Sequence, residues 1–261
     1  MEKKYFFTTE RARIAELDFF TVQSPALHGR ADVCVYLPEG EHENIPVVIL
    51  LHGVYGSHWV WSLKGQVHAT LKELISNGQC KPMLLLMPSD GLYADGSAYA
   101  KHTTADYEKW IVDDCVQLAQ ENYPEVSASS PIFITGLSMG GYGALRLGAK
   151  YPDVFRAFSG LSSITDFDQF ESFVQNFESL KSAVLHHENV LEILIAHKNT
   201  LAPFRFDCGS EDTLFQANLN LHIALKEENI PHEFYVNIGV HNWDYWTDHI
   251  KETLVFFNQY T

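Results

Sequence analysis

Closely spaced cysteines, long apolar runs and a surplus of basic residues are all missing from this 261-residue sequence. The four cysteines stand far apart, at positions 34, 80, 115 and 208, without a C-x-x-C pair. We therefore expect buried reduced thiols rather than disulfides or metal ligands. Uninterrupted apolar runs such as Val47–Leu51 are far too short to span a bilayer.

The charge balance is acidic, with 18 lysines and arginines against 33 aspartates and glutamates and a formal net charge of -15. Nucleic acids and anionic membranes bind cationic surfaces, so this balance argues against both as partners. Residues 1–10 contain two lysines but lead into no apolar segment of signal-peptide length, so we expect a cytoplasmic protein. No H-E-x-x-H motif is present, and we expect neither a metal nor a cofactor. The oligomeric state stays open.

What the sequence does contain is an alternation of short apolar strands and helical segments. We predict strands at 14–22, 31–37, 46–51, 82–87, 131–135, 157–161, 204–208 and 234–238, and helices at 64–76, 104–121, 142–150, 212–229 and 243–260. Such alternation favours an α/β fold, with a mostly parallel sheet and helices on both faces. Nothing divides residues 1–261 into two domains.

Residues 164–200 interrupt this alternation and are predicted to be a helical insertion. Four phenylalanines recur there at spacings of three and four, at positions 167, 170, 173 and 177. Such a stripe packs on the core in one interpretation. In the other, the insertion caps a functional site.

The segment at 136–140 reads G-L-S-M-G and matches the G-x-S-x-G pattern. An apolar, β-branched strand precedes it and a helical segment follows it, which is the context that the motif needs. A serine on this strained turn projects from the top of the sheet, and the glycines let neighbouring backbone pack against it. Ser138 is therefore the candidate nucleophile.

An acid and a base follow Ser138 in the order that such a nucleophile requires. Asp212 and His241 each come after a predicted strand, so both fall at the edge of the sheet where Ser138 lies. Asp207 competes as the acid but lies within its strand, and Asp244 is expected to begin a helix. His52 directly follows another strand, and we expect it to shape the loop there.

The oxyanion of an acyl-transfer reaction needs two backbone N–H donors. We predict Met139, which follows the nucleophile, and Val54, which follows Gly53 in the loop after the first parallel strand. A substrate pocket is predicted from nearby aromatic residues: Trp59, Trp61, Tyr93 and Trp243.

Four segments together resemble the esterase D-like family of α/β-hydrolases: L-L-H-G at 50–53, G-L-S-M-G-G-Y-G-A at 136–144, C-G-S-E-D at 208–212 and H-N-W-D-Y-W at 241–246. The family includes bacterial tributyrin esterases, S-formylglutathione hydrolases and feruloyl and acetyl esterases. The resemblance covers most of the chain and implies the α/β-hydrolase fold. It assigns the nucleophile to Ser138, the acid to Asp212 and the base to His241, with Val54 and Met139 as oxyanion donors.

The resemblance implies a serine carboxylesterase that hydrolyses short-chain acyl esters of the tributyrin or acetyl type, with a small-molecule ester as its partner. An S-formylglutathione hydrolase or a feruloyl esterase stays open. The former needs cationic contacts, for which Lys101 is the nearby candidate. An acyltransferase and a non-catalytic scaffold are alternatives from other classes, although a decayed scaffold should have lost a member of the triad.

Overall fold

The computed structural model describes residues 10–261, and within this range nine strands form one sheet. They are β1 (Glu10–Ile14), β2 (Leu17–Ser24), β3 (Gly29–Tyr36), β4 (Val47–Leu51), β5 (Leu84–Pro88), β6 (Ile132–Leu137), β7 (Ala157–Leu161), β8 (Phe204–Gly209) and β9 (Glu233–Asn237). The first nine residues, on which part of the expectation about a leader peptide rests, lie outside the described residues.

The strands follow the order β1-β2-β3-β5-β4-β6-β7-β8-β9 across the sheet. The pairs that join β1, β2, β3 and β5 are antiparallel, and every pair from β5 to β9 is parallel. The prediction of a mostly parallel sheet is therefore confirmed. The carboxyl ends of β6, β8 and β9 meet at one edge of this sheet.

Helices connect the parallel strands, and a final helix follows β9. They are α1 (Val67–Ser76), α2 (Tyr107–Lys109), α3 (Cys115–Asn122), α4 (Met139–Lys150), α5 (Phe177–Ala183), α6 (Val190–Ala196), α7 (Phe215–Glu227) and, after β9, α8 (Trp243–Asn258). A π-helical turn, Trp110–Asp114, joins α2 to α3, and another, Val60–Lys64, precedes α1. Residues 107–122 thus form one helical stretch, close to the predicted 104–121. No helix within residues 10–261 is both long and apolar enough to cross a membrane.

The central strands are buried on both faces of the sheet. Val47, Ile49 and Leu51 of β4 pack into one hydrophobic core, whereas Val48 and Leu50 pack into a second core on the opposite face. One strand contributes to both cores because its side chains alternate between the two faces of the sheet, and helices cover both faces. This double burial explains why β4 reads as a continuous apolar run rather than an alternating one.

Two local predictions have different outcomes. The strand predicted at 14–22 is present as β2, but its start is wrong: Ile14 ends β1, and a tight turn in which Ala15 has φ 53° precedes β2. The helical prediction for 164–200 is confirmed, since this insertion contains a 3₁₀ helix, Phe167–Ser172, followed by α5 and α6. The four cysteines are buried and unpaired within the described range.

Candidate active site

Ser138 occupies a sharp turn between β6 and α4. Its backbone angles are φ 55° and ψ −115°, a region that costs a non-glycine residue about 1–3 kcal/mol. Close backbone approach explains the two glycines of the motif. A Cβ on Gly136 would lie 2.5 Å from the carbonyl carbon of Gly140, and one on Gly140 would lie 2.3 Å from the carbonyl oxygen of Leu51.

The three residues predicted as a triad lie in one hydrogen-bonded line. His241 Nε2 is 3.0 Å from Ser138 Oγ, and His241 Nδ1 is 2.9 Å and 3.0 Å from the two carboxylate oxygens of Asp212. A carboxylate accepts at Nδ1, so the bonding pattern assigns the proton to Nδ1 and leaves Nε2 free to accept from the serine hydroxyl. The arrangement can remove the proton of Ser138.

Backbone hydrogen bonds join the two loops that carry Asp212 and His241. Glu211 N–H donates to the carbonyl of Gly239 at 3.0 Å, and Ser210 N–H donates to the carbonyl of Asn237 at 2.8 Å. A Cβ on Gly209 would lie 2.4 Å from the carbonyl oxygen of Gly239, so the loops touch through their backbones. The distance between acid and base is thus set by the pairing of β8 with β9.

The electrostatics favour an ionised Asp212. Burial raises the pKa of this carboxyl, but hydrogen bonds from His241 and the Leu214 N–H outweigh it, and the pKa is lowered overall. The competing Asp207 is fully buried and accepts a hydrogen bond from Tyr245, and burial raises its pKa to about 6. Asp244 is exposed in the first turn of α8.

The two predicted oxyanion donors flank Ser138. Met139 is the first residue of α4, a position whose N–H has no partner within the helix. Gly53 lies against the nucleophile, because a Cβ there would be 2.9 Å from Leu137 Cδ1 and 3.4 Å from Ser138 Cβ. Val54 follows it and lines the cavity at the serine.

The imidazole of His52 holds this loop through two hydrogen bonds. Its Nδ1 donates to the carbonyl of Gly53 at 2.7 Å, and its Nε2 accepts the N–H of Asp90 at 3.0 Å. Burial lowers the pKa of His52, which fits this neutral tautomer. A Cβ on Gly56 would lie 2.6 Å from the imidazole, so the loop packs tightly on the ring.

A cavity of about 250 Å³ opens at the serine hydroxyl. Its lining includes Ser138, His241, Val54 and the two predicted pocket residues Trp59 and Trp243. An apolar wall beside a nucleophile suits the acyl or alcohol portion of an ester.

The other two predicted pocket residues lie elsewhere. Trp61 is 1% exposed, donates its indole N–H to the carbonyl of Leu51 and packs edge-on against Trp243. Tyr93 lines a separate hollow and packs against His102 and Tyr107. Neither is among the residues that line the cavity at Ser138.

Comparison with known proteins identifies the family. Residues 24–257 match the Esterase family model. This chain belongs to the Esterase family. The protein is thus a carboxylic ester hydrolase with the α/β-hydrolase fold.

Individual relatives agree with this assignment. The chain is 24% identical over 238 residues to an acetyl esterase of Caldicellulosiruptor saccharolyticus, a match that covers 84% of this chain and 85% of the relative. It is 28% identical over 140 residues to an endo-1,4-beta-xylanase/feruloyl esterase of Xylanibacter ruminicola, which covers 50% of this chain but 19% of that protein.

Solved structures share the fold at low sequence identity. A ferulic acid esterase superposes with a TM-score of 0.82 at 23% identity, covering 94% of this chain and 97% of that chain. An S-formylglutathione hydrolase from Staphylococcus aureus superposes with a TM-score of 0.76 at 21% identity, covering 95% and 98%.

In this esterase, the helical insertion reaches the cavity through Phe173. The ring of Phe173 lies 5.5 Å from the His241 ring, and its carbonyl accepts the phenol proton of Tyr55 at 2.9 Å. Two residues further on, Gln175 N–H donates to Asp95 at 2.7 Å. The insertion is therefore attached to the loops that follow β4 and β5.

The residues predicted for the site do not include Tyr55, Lys64, Phe173 or Trp246, although all of these line the cavity. Trp246 packs edge-on against His241 at 5.0 Å between ring centroids. It lies three residues after Trp243, which is the spacing that places two side chains on the same face of a helix, so this residue could have been found. Phe173 had no comparable local signal, because its approach depends on how the insertion folds.

Proposed function

We propose that this esterase is a serine carboxylesterase in which Ser138, His241 and Asp212 form the catalytic triad. The observation that carries the proposal is the hydrogen-bonded line from Ser138 Oγ through His241 to Asp212 at a cavity mouth. Ser138 attacks the ester carbonyl while His241 accepts its proton, and Asp212 orients the imidazole and stabilises the imidazolium. The alcohol leaves with a proton from His241, and water then hydrolyses the acyl-enzyme.

The N–H groups of Val54 and Met139 are proposed to bind the oxyanion of the tetrahedral intermediate. Support comes from the position of Met139 at the start of α4 and from the contact of Gly53 with Ser138. Preorganised backbone donors of this kind are each worth about 100- to 1000-fold in rate.

The proposed substrates are short-chain acyl esters. The cavity holds about 250 Å³, below the roughly 300–1,000 Å³ of pockets that enclose drug-sized ligands. Its apolar walls suit an acetyl or butyryl group better than a long or charged chain.

The decisive experiment is Ser138→Ala with p-nitrophenyl acetate and butyrate. We expect turnover to fall to the level left by substrate binding and the oxyanion donors, whereas Ser163→Ala, which changes another buried serine, should retain activity. A fluorophosphonate should label the wild type and not Ser138→Ala. If Ser138→Ala hydrolysed these esters as fast as the wild type, Ser138 would be excluded as the nucleophile.

A second candidate substrate is an aromatic acyl ester such as a feruloyl ester, because Trp59, Trp243, Trp246 and Phe173 all line the cavity. A panel of esters of increasing acyl length, extended with methyl ferulate, compares the two. Preference for ferulate over butyrate by kcat/KM would favour the aromatic class.

Adding competing alcohols and analysing the products separates hydrolysis from acyl transfer.

An anionic thioester such as S-formylglutathione is favoured by one observation, the position of Lys64 at the cavity. The ammonium group lies 5.5 Å from the centre of the Trp243 ring, whereas Lys101 pairs with Asp106 at 3.6 Å and does not line the cavity. If Lys64 binds a substrate carboxylate, Lys64→Ala should raise KM for S-formylglutathione and leave KM for p-nitrophenyl acetate unchanged.

A further inference from the structure

The loop that carries His241 rests on a buried hydrogen bond outside the proposed triad. The phenol of Tyr245 donates to Asp207 Oδ1 at 2.8 Å, and the two residues are 3% and 0% exposed. Tyr245 lies in the first turn of α8, which begins two residues after His241. Asp207 lies on β8, the strand that leads into Asp212. The bond therefore connects the start of the helix behind the base to the strand behind the acid.

The Tyr245 side chain also contacts the histidine loop directly. A Cβ on Gly239 would lie 2.5 Å from Tyr245 Cδ2, so the loop backbone rests on the ring. On the other side of His241, Tyr245 N–H donates to Asn242 Oδ1 at 3.1 Å. Because protein interiors are close-packed, a displacement of this ring moves the backbone at Gly239, two residues before His241.

Asp207 is held in place as a charged acceptor. Arg205 Nη2 lies 3.1 Å from Asp207 Oδ2, and Arg205 Nη1 donates to Thr253 Oγ1 at 2.9 Å. Burial raises the pKa of Asp207 to about 6, while Arg205 and Tyr245 oppose this shift and favour the carboxylate. A hydrogen bond to a carboxylate is about twice as strong as one between neutral groups.

We propose that Tyr245 and Asp207 are positioning residues that hold His241 Nε2 at hydrogen-bond distance from Ser138. The inference rests on the proposed role of His241 as the base. Neither residue touches the reacting atoms, and each acts through the loop that carries the imidazole. Misplacing a catalytic group by about 1 Å costs on the order of 100-fold in rate.

The test is Tyr245→Phe, which keeps the ring and removes the phenol oxygen. We expect kcat for p-nitrophenyl acetate to fall about 10- to 100-fold while KM changes less than about twofold. The rate constant for fluorophosphonate labelling of Ser138 should fall by the same factor. The far-downfield NMR resonance of the proton on His241 Nδ1 should also shift in the variant relative to the wild type. All assays are run well above the pKa of Asp207.

Tyr123→Phe is the matched control. The Tyr123 phenol donates to Asp18 Oδ2 at 2.9 Å, both residues are 3% exposed, and Asp18 lies on β2 near the opposite edge of the sheet. This variant loses the same kind of bond, so its Tm should fall by a comparable amount while kcat and the labelling rate stay unchanged. Asp207→Asn keeps an oxygen that can accept from Tyr245 and should retain more kcat than Asp207→Ala.

Equal kinetic losses in Tyr245→Phe and Tyr123→Phe, or no loss in Tyr245→Phe, would overturn the positioning role. The proposed ester function fails separately. A wild-type protein that is labelled by fluorophosphonate but turns over no ester rejects that function, and the labelling rates still decide the role of Tyr245. A wild-type protein that is not labelled rejects both the triad and the positioning role.

Discussion

Replacing Asp212 by asparagine tests the proposed acid most directly. Asp212 Oδ1 accepts the Leu214 N–H at 2.8 Å, and both carboxylate oxygens face His241 Nδ1. An asparagine has one acceptor oxygen for these two donors. If that oxygen takes the Oδ2 position, the amide NH₂ takes the Oδ1 position and faces the Leu214 N–H, and a buried donor left without an acceptor costs about 1–3 kcal/mol. With the oxygen at the Oδ1 position, the bond from Leu214 is kept and the NH₂ lies at the Oδ2 position, opposite His241 Nδ1.

The cheaper orientation therefore places the asparagine NH₂ against His241 Nδ1. The imidazole then accepts at Nδ1 and carries its proton on Nε2, so it can no longer accept the proton of Ser138. We expect kcat with p-nitrophenyl butyrate to fall about 10⁴-fold, which corresponds to about 5.5 kcal/mol of transition-state stabilisation. Steady-state kinetics at neutral pH measure this loss, and circular dichroism checks that the variant is folded.

Glu211→Gln is the control, since Glu211 is the exposed carboxylate directly before Asp212. It removes the same charge from the same loop and should leave kcat within about twofold of the wild type. An Asp212→Asn variant that kept more than about a tenth of wild-type kcat would refute the tautomer argument. Loss of activity in a folded Asp207→Asn with Asp212→Asn fully active would transfer the role of acid to Asp207.

Three further predictions concern stability and substrate fit. Gly136→Ala should lower the free energy of unfolding by about 1–3 kcal/mol in urea titrations, because its Cβ meets backbone atoms of Gly140 that cannot move aside. Phe173→Ala should raise KM for p-nitrophenyl butyrate several-fold with a smaller change in kcat, since it removes one wall of the cavity. His52 has a lowered pKa in the folded state, so its contribution to stability is present above the unfolded value near 6.5 and is lost as pH falls through the lowered folded value. Urea midpoints across this range should show the stability difference between wild type and His52→Gln narrowing by up to about 1.4 kcal/mol per pH unit as the pH falls.

The parallel half of the fold could be predicted because its local patterns agree with its tertiary structure. Strands such as β4 and β6 are apolar runs bounded by turns, and each predicted helix between them is present. The β1–β2 turn was missed because it uses Ala15 at φ 53° without the glycine, asparagine or proline that marks most turns. Helix α1 begins at Val67 rather than 64 because Gln66 has φ 50° and follows a π-helical turn.

The order of residues was sufficient to predict which side chains meet at Ser138, whereas the cavity walls could not be predicted as fully. The carboxyl ends of parallel strands lie at one edge of the sheet. Asp212 and His241 each follow such a strand, so both were expected at that edge, close to Ser138. The aromatic wall depends on side-chain direction. Trp59 and Trp61 are two residues apart and point to different sides, so one lines the cavity and the other is buried under it.

The geometry separates the chemistry of this esterase from the fit of its substrate. The proposed triad lies at the ends of β6, β8 and β9, and backbone hydrogen bonds join the loops that carry the acid and the base. Part of the cavity wall comes from other segments: the insertion enters through Phe173, which is held by Tyr55 and by the hydrogen bond from Gln175 N–H to Asp95. Tyr55 and Trp59 line the cavity from the loop after β4, which carries neither Ser138 nor His241, so we expect substitutions there to alter mainly the space for the substrate. Substrate preference in this chain can therefore change through the walls while the proton-transfer geometry stays constant.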